Sequence, residues 1–114
     1  MRGDRQQAKS LHEESLALSR ELGDKLIAAE SLEGLACSAT RGEEESAARL
    51  FGAAESLREA VGYHQVPRER ALREPFLGAA CSRLEEATWH TAWAEGRAMT
   101  FADAVAYALQ DAGK

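Results

Sequence analysis

Along most of this chain, small and apolar side chains recur at steps of three and four residues. That period gathers them on one stripe of an α-helix and suits no β-strand. In the first stretch, about Arg5 to Leu22, the stripe is Ala8, Leu11, Ser15, Leu18 and Leu22. Gly23 can take the left-handed conformation that ends a helix, and Asp24 can accept from the free N–H groups that open the next one. The second helix therefore starts near Lys25 and places Ala28, Leu32, Leu35, Ala36 and Ala39 together, with Arg41 and Gly42 as its stop. Glu43, Glu44 and Glu45 suit the positive end of a third helix, whose stripe is Ala47, Leu50, Phe51, Ala54, Leu57 and Val61 before Gly62 ends it. Composition agrees with this reading: 23 Ala and 13 Leu stand against only 8 Val, Ile and Thr in 114 residues, so helix formers dominate strand formers.

The period lapses from Tyr63 to Val66, which reads as a loop, and Pro67 suits a first helical position. A fourth helical stretch, about Arg68 to Leu84, contains Pro75, which removes a backbone donor and opposes the carbonyl of Ala71. A kink or break near Glu74 is expected. A fifth helix, about Glu85 to Ala98, sets Trp89 and Trp93 on one face, where packing against the last two helices is a commoner use than stacking a ligand. Thr100 to Asp103 fits a capping box and opens a last helix with Ala104, Val105 and Ala108 turned inward. The sequence thus predicts one all-α domain over residues 1–114, built from five or six helices. Repeat helices occupy 1–62 and a divergent helical cap occupies 63–114.

The chain also resembles itself. A shift of 39 positions places Ala8 on Ala47, Leu11 on Leu50, Leu18 on Leu57, Leu22 on Val61 and Gly23 on Gly62. A small residue, an aromatic four positions on, then another small residue is complete in Ala47, Phe51 and Ala54 and partial in Ala8, His12 and Ser15. This is the pattern of the second helix of a tetratricopeptide-type hairpin, with a period lengthened by the turn at Leu22 to Lys25.

The segments LHEESLALSRELGDK (Leu11 to Lys25), ESLEGLA (Glu30 to Ala36), AARLFGAAESLREAVG (Ala47 to Gly62) and AWAEGRAMTFADAVAYAL (Ala92 to Leu109) carry a wider likeness. They are similar to the C-terminal helical repeats of bacterial regulators of the STAND class of signal-transduction ATPases, many of which also carry a LuxR-type DNA-binding domain. The resemblance implies antiparallel helical hairpins of tetratricopeptide type. It also implies a regulatory, protein-interaction or effector-sensing role within a transcriptional regulator, and a piece detached from that larger layout. The sequence itself has no GxxxxGK[ST] loop to cradle nucleotide phosphates.

Charge and chemistry narrow the function further. A formal net charge of -5 opposes a phosphate backbone. Val66 to Arg70 superficially resembles the start of a LuxR-type helix-turn-helix, yet residues 66–97 hold five Arg against five Glu, so a DNA-binding regulator is only the alternative reading. A small hydrolase is a more distant one. Cys37 or Cys81 would need His12, His64 or His90 as base, and no nucleophile elbow, glycine-rich loop or paired-acid motif accompanies them. No two of these residues have metal-ligand spacing, so neither cofactor nor metal is expected. Glutamate-rich faces with pairs such as Glu55 and Arg58 read as solvated surface. No apolar run is long enough to cross a membrane and the N-terminus lacks a signal-like stretch, so a cytoplasmic protein is expected.

Repeat hairpins bury their faces by stacking, and the first helix here has no hairpin partner of its own. Leu11, Leu18 and Leu22, with Leu16 beside them, are therefore the candidate interaction surface, for a protein or peptide partner, other domains of a regulator, or a second copy of the chain.

Overall fold

The computed structural model describes residues 2–38, 43–62, 71, 74–75, 78 and 82–112. Five helices make up the described fold: α1 (Arg2–Leu22), α2 (Lys25–Cys37), α3 (Glu44–Ala60), α4 (Glu86–Arg97) and α5 (Phe101–Ala112). No strand occurs among the described residues, which are all-α as expected. Helix α2 ends at Cys37, ahead of the expected stop, and Ala39, Arg41, Gly42, the loop at 63–66, Pro67, His64 and Cys81 lie outside the described residues. Of the fourth helical stretch, Ala71, Glu74, Pro75, Gly78 and Ser82 are described and have helical backbone. Glu74 and Pro75 thus keep helical backbone at the position of the expected break, Arg83 and Leu84 form a turn and a bend, and the remaining residues of that stretch lie outside the described ones.

The helix ends follow local chemistry. Gly23 has φ +71°, and the Asp24 N–H donates to the Ser19 carbonyl at 2.9 Å, which satisfies an orphan acceptor at the end of α1. The Asp24 carboxylate then accepts from the Ile27 N–H at 3.0 Å and opens α2. Gly62 likewise takes a left-handed φ of +72° after α3, with its own N–H donating to the Glu59 carbonyl. The Thr100 hydroxyl accepts from the Asp103 N–H at 3.1 Å at the start of α5.

Packing is centred on α3, which lies between α2 and α4 and buries Ala47, Ala48, Leu50, Phe51, Ala53, Ala54 and Leu57. Gly34 of α2 meets His12 of α1, each a similar distance from the two-residue turn, so α2 folds back along α1. At the α3–α4 contact the backbones themselves touch: a Cβ at Gly52 would overlap the Trp93 carbonyl, and one at Gly96 the Arg49 carbonyl. Trp89 is buried and Trp93 half-buried against the core, with ring centroids 5.8 Å apart, so this pair packs in the core, on a helix that meets α3 rather than, as expected, chiefly the last helix. Helix α5 turns Ala104, Val105 and Ala108 inward and touches α1, α2 and α3, so the last helix packs back onto the first.

Candidate interaction surface

The inner face of α1 is not its most apolar stripe. Leu16 and Ser19 are fully buried, and the Ser19 hydroxyl donates to the Leu16 carbonyl at 2.7 Å, so burial leaves it satisfied. His12 is half-buried on Gly34, which has no side chain to exclude the ring. Leu11, Leu18 and Leu22 face the other way, at 57%, 54% and 66% exposure. At 100° per residue they fall within about 40° of one another and about 120–160° from Leu16. Leu16 is therefore corrected from surface to core: two positions before Leu18, it occupies the opposite side of the helix and fills the contact with α2.

The exposed row does not stop at the end of α1. Leu22 and Val61, which is 48% exposed, line one open depression of about 580 Å³ where the Gly23–Asp24 turn lies beside the end of α3. Ile27 on the first turn of α2 is also exposed. Glu14 and Glu21, both exposed, run along one flank of the leucines.

Ion pairs hold this platform together. Arg58 of α3 and Glu33 of α2 pair at 3.1 Å with side chains 7% and 13% exposed, so Arg58, read from sequence as solvated, is instead a buried link between helices. The missed signal is one of geometry, since helical spacing gave Arg58 a partner at Glu55 and gave no sign of Glu33 on another element. Glu55 turns to Arg97, as does Glu59 at 2.7 Å, joining α3 to α4. The Arg97 guanidinium holds the Glu59 carboxyl below its ordinary value. Arg49 donates to Glu95 at 3.0 Å and to the Tyr107 hydroxyl, which donates on to Ser46, so α3, α4 and α5 share one network. The hydrogen bond to Tyr107, more than the one to Glu95, keeps the Arg49 guanidinium above its ordinary value.

His90 is exposed and pairs with Glu86 on its own helix at 3.6 Å, and Cys37 is half-buried near the end of α2. Among the described residues no three His, Cys, Asp or Glu side chains converge as metal ligands, and no helix is long and apolar enough to cross a membrane. Comparison of the chain with protein-family models, with curated proteins and with solved structures gives no match.

Proposed function

We propose that the chain is a non-catalytic protein-interaction or effector-sensing module built on tetratricopeptide-type hairpins, working within a bacterial transcriptional regulator. The observation that carries this reading is the row of Leu11, Leu18 and Leu22, exposed on the side of α1 opposite its buried face. Large apolar side chains held out in water on one face are unfavourable unless something covers them, and such faces mark interaction sites. The regulator setting rests on the likeness of Leu11 to Lys25, Ala47 to Gly62 and Ala92 to Leu109 to the repeats of STAND-class proteins. The hairpin reading draws support from α2 folding back along α1 and from the 39-residue recurrence of α1 in α3.

Selection from a displayed peptide library on the wild-type chain tests this function. Enriched ligands are expected to lose roughly tenfold in affinity on Leu11→Glu and Leu18→Glu while both variants keep the wild-type Tm. An empty selection, or ligands indifferent to both leucines, overturns the reading.

A further inference from the structure

The outer face of α1 has a counterpart inside the same chain. One repeat on, Leu11 and Leu18 correspond to Leu50 and Leu57 of α3. Those two are 7% and 6% exposed, whereas Leu11 and Leu18 are more than half exposed. The neighbours of α3 account for the difference. Helix α4 meets α3 at Gly52, about 140–160° around the axis from Leu50 and Leu57, while α2 approaches on the side of Arg58. Leu50 and Leu57 lie in the one core that α3 shares with all the other described helices, α2 among them. Helix α1 has α2 along its inner face, and its leucine row stays open.

A second difference between the repeats concerns charge. Glu14 and Glu21, one heptad apart beside the leucines, stand where α3 has Ala53 and Ala60. We propose that the outer face of α1 docks a single amphipathic helix from a partner, with an alanine-and-leucine face like that of α2 and a row of Lys or Arg along the edge that meets Glu14 and Glu21. The leucines supply the buried seam and the two glutamates select orientation and partner, as flanking charges do in paired helices. A second copy of α1 fits less well, because it brings glutamates rather than a row of cations to that edge.

This inference rests on the interaction reading above and names its partner. The probe is a dye-labelled synthetic helix of about 20 residues with Leu and Ala on one seam and Lys along one flank, long enough to form several turns. The same peptide with Glu on that flank is the comparison, and both are titrated with the full chain by fluorescence anisotropy at about 50 and about 300 mM salt. The Lys peptide is expected to bind roughly tenfold tighter, with the advantage shrinking in high salt and in a Glu14→Gln, Glu21→Gln double variant. Leu18→Glu is expected to lose roughly tenfold in affinity at unchanged Tm. Equal binding of the two peptides, full binding by Leu18→Glu, or a chain dimer that shuts the leucine row against the peptide overturns the proposal. Library ligands that need Leu11 and Leu18 but bind in an extended form would remove this inference and leave the interaction reading in place.

Discussion

Gly96 and Gly52 sit where two helix backbones touch, and their value lies in what they lack. In an exposed helix, replacing Gly by Ala gains about 1 kcal/mol of propensity. Here the new Cβ would overlap the Arg49 carbonyl or the Trp93 carbonyl, which belong to backbone and cannot swing aside. Overpacking of this kind costs more than propensity returns, so Gly96→Ala and Gly52→Ala are each expected to destabilise by about 2 kcal/mol in urea titrations. Gly34→Ala meets only the His12 ring, which can rotate away, and is expected to stay close to the wild type. The same scale separates two leucines of one helix. Leu16→Ala empties a fully buried site and is expected to cost about 2–5 kcal/mol, whereas Leu18→Ala on the open face changes stability by less than about 0.5 kcal/mol. If Leu18→Ala proved as damaging as Leu16→Ala, the orientation of α1 described above would be wrong.

At the scale of elements, the boundaries were the most legible feature of the sequence, because they depend on chemistry within a few residues of each end. Gly23, Asp24, Gly62 and Thr100 act where they were expected to act, and α2 and α5 begin beside them. Removal of either side-chain cap, by Asp24→Ala or Thr100→Ala, is expected to lower stability by about 1 kcal/mol, read as a shift in the urea midpoint. Which way a helix faces was less legible, because periodicity finds a stripe without saying what lies across from it. In α1 the more apolar row points outward and the mixed row of His12, Leu16 and Ser19 points inward, with the His12 ring seated on Gly34 of α2. Partners between helices were illegible for the same reason: Arg58 finds Glu33, and Glu59 finds Arg97, through the tertiary fold. The candidate surface was accordingly found from its surplus of leucine, with Leu16 placed on the wrong side and Val61 missed beside Leu22. The Glu59–Arg97 link also has a pH signature. Because Arg97 depresses the Glu59 carboxyl, the stabilisation is complete above the ordinary glutamate range near pH ~4.3 and fades as pH falls through the lower folded value. Thermal melts of the wild type and Glu59→Gln are expected to differ at neutral pH and to converge in acid. A gap that widened on acidification would contradict the assigned direction.

For the whole molecule, the decisive contact is the return of α5 onto the first three helices. A linear stack of hairpins joins each unit only to its neighbours, and its ends can open one repeat at a time. In this chain α5 touches α1, α2 and α3, and the Arg49–Tyr107–Ser46 network ties it to the start of α3. Val105, fully buried on α5, belongs to the same core as Leu16 of α1 and Phe51 of α3. Loss of two methyl groups there should weaken the molecule as a unit rather than loosen one end. Val105→Ala is expected to cost about 2 kcal/mol, the transfer term plus the cavity it leaves. Native-state hydrogen exchange is the discriminating measurement, because it reports the opening free energy of each helix separately. For the slowest amides the same drop is expected in α1, α3 and α5, although α1 and α5 are farthest apart in sequence. A drop confined to α5, with α1 unchanged, would instead describe a chain whose ends open independently, and the leucine row would then sit on an element that folds without the rest.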